Sequence, residues 1–342
     1  MITNKQKLSI VYFLSHCFFL ASGYSLIFKI TGKDSWLSMI IGSIIGIVLI
    51  LIFNKLSFNK KKNYILNTKT SFIKKIIMMT FFIFVLFVNI LIVRIFATSF
   101  FLTKTPGIVI TIPFLLLAMH NAKKGLNSIA KIAEILLPIS LTLIILSTIA
   151  VGKDGLFTSF LPLITSSKIK IIISSFYYAI FTSIPNLLLF DVKIDTKTHI
   201  KSYIFSTVIS TLIGTVIIYT LGDYLIKIFR FPEYMVLKQL KLFNFIEKIE
   251  NLIGLIWFFD LFISASLSIY NIDKITNSNK LIDLLIIGFI VLIIEFVSTN
   301  YEYATIIYKN LPILLLIIGL IFFIVIYIKS KKIKKVANAT LN

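Results

Sequence analysis

The chain has one cysteine, Cys17, in 342 residues, so no intrachain disulfide can form. Its three histidines, at positions 16, 120 and 199, are far apart and show no metal-ligand spacing. Acidic residues are scarce, 14 against 35 Lys and Arg. There is no Gly-rich phosphate loop, no HExxH pair, no Gly-x-Ser-x-Gly elbow and no paired-cysteine motif. There is also no hydrophilic stretch long enough to build a soluble domain. These absences argue against an enzyme and call for no metal or other cofactor.

What is present is apolar. Hydrophobic residues make up 58% of the chain and the mean hydropathy is +0.98, outside the range of soluble domains of this size. The fold class expected is an all-α polytopic membrane protein. The net charge of +21 comes mainly from lysines between the apolar runs. Nucleic-acid binding would need a soluble basic face, so the better account is lysine facing anionic lipid headgroups. Ten spans are read, at about 8–28, 34–53, 76–96, 107–120, 129–150, 170–190, 202–221, 252–270, 281–298 and 311–328, the fourth short and with a start extendable towards Phe100. Lys5 and Lys7 before an apolar run ending Ala21-Ser22-Gly23 mimic a signal peptide. The run continues to Phe28, which favours a retained first helix. With the N-terminus inside, the inner segments hold 22 Lys and Arg and the remainder 13. The positive-inside rule then places both termini in the cytoplasm.

Ten spans divide into two halves of five, about 8–150 and 170–328. The stretch Phe176 to Asp191 lies within the sixth span, and its middle reads Thr182-Ser183-Ile184-Pro185-Asn186. Pro185 lacks an amide hydrogen and disfavours helix at Ile184. Thr182, Ser183 and Asn186 offer side chains to the backbone groups a break would free. An ordinary Pro-kinked helix has the same local pattern. The first span, at the matching position of the other half, carries its own small-residue breaker, Ala21-Ser22-Gly23-Tyr24. Paired interruptions of this kind point to an inverted repeat with a ligand site at the midplane.

Within the spans His16, Arg94, Glu134, Asp260 and Glu295 are ionisable, with Asn89 an uncharged companion, and such residues are functional candidates by default. Arg94 and Asp260 have opposite charge and are candidates to pair. Lys131 and Glu134, three apart, are expected to pair on one helix face. His16 reads as a packing residue rather than a proton relay. Residues 222–251 form the longest outer loop, with apolar residues at helical spacing on either side of Phe231-Pro232. It reads as an interfacial helix pair, a lid over the outer vestibule, or both.

Several stretches resemble the spore germination permeases (GerAB-like), a branch of the amino acid/polyamine/organocation (APC) superfamily. They are Ile2-Thr3-Asn4-Lys5-Gln6, Lys33-Asp34-Ser35-Trp36-Leu37-Ser38, Gly125-Leu126 through Ile132 to Pro138, Leu161-Pro162, and Phe231-Pro232 through Phe245-Ile246-Glu247-Lys248 to Trp257. The resemblance implies a LeuT-like 5+5 inverted repeat with helices one and six interrupted. It implies the integral-membrane B subunit of a nutrient-germinant receptor in a spore inner membrane or cell membrane, working beside A-type and C-type subunits. The ligand implied is a small nutrient such as an amino acid. Carried onto this chain, the ligand-binding candidates are Ser22, Gly23, Tyr24, Asn89, Ser183, Pro185, Asn186, Asp260 and Ser264. The chain departs from the family where Pro185 is followed by Asn186-Leu187-Leu188, with no acidic residue before Asp191. The alternative function is a proton- or sodium-coupled amino-acid transporter.

Overall fold

A computed structural model describes residues 2–57, 72–153, 155–190, 192, 194–238, 249–276, 280–299 and 301–339. Among these, all regular structure is helical. The α-helices are α1 (Asn4–His16), α2 (Tyr24–Thr31), α3 (Ser35–Ser57), α4 (Phe72–Phe100), α5 (Gly107–Lys123), α6 (Leu126–Gly152), α7 (Lys168–Ser183), α8 (Thr196–Ile228), α9 (Pro232–Lys238), α10 (Ile249–Thr276), α11 (Lys280–Thr299) and α12 (Tyr301–Ala339). Each of the ten expected spans is occupied by helix. Six helical segments among the described residues are long and apolar enough to cross a bilayer. The short fourth span does not extend towards Phe100; α4 ends there and α5 starts at Gly107. Of the 222–251 loop, Pro232 opens α9 where the sequence predicted a division, while 239–248 lie outside the described residues.

Local chemistry explains several helix starts. Thr3 and Gln6 form a reciprocal capping box, at 3.2 and 3.0 Å, which accounts for the polar opening of the chain. Asp195 caps α8 by accepting from the Thr198 amide at 2.9 Å and its hydroxyl at 2.7 Å. Ser167 caps α7. Large apolar side chains such as Ile44, Leu117, Ile149, Leu292 and Ile324 are exposed on the outside of the bundle, as a hydrocarbon environment requires.

The packing arrangement has a regularity. With the spans numbered one to ten, α3 packs along α7 and α8 along α1. Likewise α5 meets α10 and α11 meets α4; α1 meets α6 and α7 meets α12; α6 meets α8 and α12 meets α3. Adding five to each span number turns the first member of every pair into the second. The most extensive helix contact is α3 on α7, where Gly42 faces Ser175 and Tyr178, while Gly46 gives room to the Tyr203 ring of α8. A Cβ at Gly42 would lie 2.6 Å from the Ser175 carbonyl oxygen. Spans one and six lie at the centre: every described residue from Ser9 to Phe28 is buried, as is every residue from Tyr178 to Phe190.

Lys33 and Asp34, in the turn between α2 and α3, tie distant segments together. The Asp34 carboxylate accepts the amides of Ile164, Thr165 and Ser166 at 3.1, 2.8 and 2.7 Å. Lys33 gives its ammonium to the Leu161 carbonyl at 2.7 Å and its amide to Asp223 at 2.7 Å. Gly32 has φ of 53°, and a side chain there would collide with Asp223.

Replacing Asp34 with Ala leaves three backbone amides without an acceptor. It is expected to lower stability by about 2–4 kcal/mol, read by thermal unfolding in detergent. Asp195→Ala removes only a helix cap and is expected to cost about 1 kcal/mol. The Thr198 hydrogen bonds hold the Asp195 carboxyl below its ordinary value of 3.8. Its contribution is therefore complete above that value and fades as the pH falls below it, so the difference between wild type and Asp195→Ala shrinks in acid.

Candidate functional site

The first span breaks earlier than its small residues suggested. α1 ends at His16, and Phe19–Gly23 form a single π turn before α2 resumes at Tyr24. The Gly23 amide reaches back five residues to the Phe18 carbonyl at 3.2 Å. The Phe19 ring lies over Gly23 and leaves no room for a Cβ. Ser22 donates its hydroxyl to the Phe18 carbonyl at 2.6 Å, and its own carbonyl accepts from Tyr308 at 3.0 Å. The Tyr24 hydroxyl donates to the Ser210 carbonyl.

The sixth span tightens. α7 ends at Ser183, and Ile184–Leu189 continue as a 3₁₀ helix with Pro185 in its first turn. Asn186 donates to the Thr182 carbonyl at 2.9 Å and to the Ser15 hydroxyl of α1 at 3.1 Å. Ser183 bonds the Ala179 carbonyl at 2.6 Å. Asn271 of α10 takes the Leu188 carbonyl at 2.9 Å. Thus Ser22, Tyr24, Ser183 and Asn186 hold the two breaks in place with their side chains, while Gly23 and Pro185 shape the backbone.

The remaining candidates meet elsewhere. Asn89 of α4 donates to the Ser264 hydroxyl of α10 at 2.9 Å. Asp260 lies one turn before Ser264 and is 1% exposed, and neither of its carboxylate oxygens has a hydrogen-bond partner. Cys17, at the end of α1, lies against Ser264 and within electrostatic reach of Asp260, as does Tyr12. Ser140 of α6 is beside Tyr12. The hydroxyls of Tyr12 and Ser140 and the Oδ1 of Asn89 are also buried without partners. Such groups usually cost about 1–3 kcal/mol each when left unpaired, and here they form one cluster at the break in span one. It offers one carboxylate, two hydroxyls and an amide oxygen, suited to a small polar or cationic group. Among the described residues no cluster of three or more His, Cys, Asp or Glu forms a metal centre.

The sequence pairings are corrected here. Arg94 pairs with Glu295 of α11 at 2.6 Å, not with Asp260. α4 borders both α10 and α11, and the Arg94 guanidinium turns over Gly107 towards the second. Lys131 is exposed and makes no ion pair with Glu134. The His16 Nδ1 lies 2.9 Å from the Tyr12 carbonyl and 3.0 Å from the Ser206 hydroxyl, joining α1 to α8, while its Nε2 is buried without a partner. Tyr12 and Ser140 were missed because one tyrosine and one serine in apolar runs carry no sequence signal of convergence.

A family model described as spore germination protein matches residues 7–304, a span that includes every candidate above. No curated protein matches the chain.

The two sets of residues respond differently to substitution. Asn186→Leu frees the Thr182 carbonyl and is expected to lower stability by about 1–3 kcal/mol. Asp260→Asn loses no hydrogen bond and is expected to leave the unfolding temperature unchanged or raised. Parallel thermal melts of the purified variants check both.

Proposed function

The chain belongs to the spore germination protein family, and from that premise we propose that it is the integral-membrane subunit of a nutrient-germinant receptor. A small nutrient, an amino acid in this reading, binds at the break in span one among Tyr12, Asn89, Ser140, Asp260 and Ser264. A-type and C-type partner subunits carry the signal onward. The observation that carries this reading is the convergence of partnerless polar groups on Asp260 at the centre of the bundle.

The pairwise packing that repeats when five is added to each span number supports a LeuT-like inverted repeat of the APC type, with ten spans. The π turn and the 3₁₀ segment are the irregular elements such a fold places at its ligand site. The lysine distribution supports cytoplasmic termini, and the family supports a spore inner membrane or cell membrane. Binding acts by population shift. The nutrient prefers one arrangement of the breaks, and the bundle redistributes by the difference in affinity between the two. Nothing in this scheme requires catalysis or nucleic acid.

A proton- or sodium-coupled amino-acid transporter is the second reading. Asp260 supports it, because its carboxylate is beside the C-terminal end of α1, where a helix dipole favours positive charge.

Equilibrium binding and uptake of one labelled amino-acid panel in proteoliposomes separate the two. The receptor reading expects saturable binding without accumulation, weakened at least tenfold by Asp260→Asn. Concentrative uptake under an imposed proton or sodium gradient overturns it in favour of transport.

A further inference from the structure

A second polar site lies under α9, apart from the Asp260 cluster. Glu233 is 6% exposed, and its Oε2 has no hydrogen-bond partner. It lines a partly open cavity of about 50 Å³ between α6, α8, α9 and α10. The other polar walls are the hydroxyls of Ser147 and Thr148 and the indole of Trp257; the remainder is aliphatic. Both hydroxyls donate to the Ile144 carbonyl, at 2.8 and 2.7 Å, which leaves their oxygen lone pairs as the acceptors they could offer. The volume holds about three to five water-sized groups. An indole, two hydroxyl-bearing side chains and a buried carboxylate with one free oxygen are groups that recognise a cation, and the aliphatic walls suit a short hydrocarbon stem. The nearest guanidinium, Arg230, is over the Tyr308 ring at 5.1 Å and forms no ion pair with Glu233.

We infer that this cavity binds the ammonium end of a small primary amine, with Glu233 as its anionic partner and α9 as its cover. The cover is held by packing: Phe96 and Phe100 of α4 pack on Tyr234, with ring centroids 5.3 and 4.3 Å away, and Phe96 packs on Trp257 at 4.2 Å. Burial pushes the Glu233 carboxyl well above its usual range. Seating an ammonium there restores the ionised form, so capture releases a proton from Glu233 and tightens as the pH rises. The titratable groups within reach are Tyr24 of α2 and Tyr308 of α12, with Arg230 over the latter. From α6, α8 and α10 the cavity receives hydroxyl, aliphatic and indole groups only. Tyr308 and Tyr24 also hold the π turn, which puts this site in contact with the break in span one.

The chain has two tryptophans, so Trp36→Phe leaves Trp257 as the sole indole reporter. The test is a fluorescence titration of that full-length protein in nanodiscs with ethylammonium, against ethanol, sodium and potassium at equal concentration. A saturable change is expected with ethylammonium alone, stronger at pH 8 than at pH 6 and weakened at least tenfold by Glu233→Gln. Ser147→Leu fills the cavity with Glu233 intact and is expected to abolish it. Asp260→Asn is expected to leave it unchanged, which keeps the outcome separate from nutrient binding at the centre. An equal response to ethanol, to either metal cation, or in Glu233→Gln overturns the inference. So does the absence of a response in a Trp36→Phe protein whose melt matches wild type.

Discussion

Backbone that departs from the α-helical pattern inside hydrocarbon finds no water, so each freed amide and carbonyl must be answered by the protein. The two central spans meet that requirement through their own side chains and through others brought from distant helices. Asn186 and Asn271 answer the Thr182 and Leu188 carbonyls, and Tyr308 answers that of Ser22. Spans one and six therefore have to be enclosed by the other helices, and the arrangement of the bundle follows from enclosing them. Gly42 brings α3 close against α7, Gly46 makes room for Tyr203 of α8, and His16 with Ser206 secures α1 to α8. The lipid contacts fall to the peripheral helices.

The elements were legible in the sequence because hydrophobic length and lysine clusters act locally. Helix occupies all ten predicted spans, and Pro232 opens the outer helix where a division was read. The break in span six was legible from Pro185, whose ring and missing amide act on adjacent residues. The break in span one was placed at Ala21 to Tyr24, yet the helix ends at His16, because a π turn is set by how the Phe19 ring packs over Gly23. Which side chains meet was less legible. Spans with moderate polarity on several faces do not announce which face turns to which neighbour. Hence Arg94 was offered Asp260 and pairs with Glu295, and Glu134 was given a partner it lacks. Asp260 itself was found, since a carboxylate in an apolar run is conspicuous whatever its partner. Glu233 sits in a polar loop, where a glutamate attracts no notice, and only the fold buries it.

The chain belongs to the spore germination protein family, and the proposed role rests on the polar cluster at the break in span one. In the proposed reading, a ligand bound next to irregular backbone has its energetic effect where the chain is least constrained by regular hydrogen bonding. Small differences in contact there are able to shift the balance between packings that differ by a few kcal/mol. No carboxylate follows Pro185 before Asp191, and the neighbouring Asn186 uses its amide to answer the Thr182 carbonyl rather than to hold charge.

The hydrogen bond from Tyr308 to the Ser22 carbonyl joins residues 286 positions apart. A chain made from its N-terminus inserts its first span long before the last exists. Until the tenth helix arrives, the turn at Phe19–Gly23 is missing one of its clasps, whereas the Asp34 carboxylate waits only for the Thr165 and Ser166 amides that precede span six. The first helix to enter the membrane is thus among the last to be finished. A transcript cut short before Tyr308 would yield a protein with most of its helices and an unfastened centre.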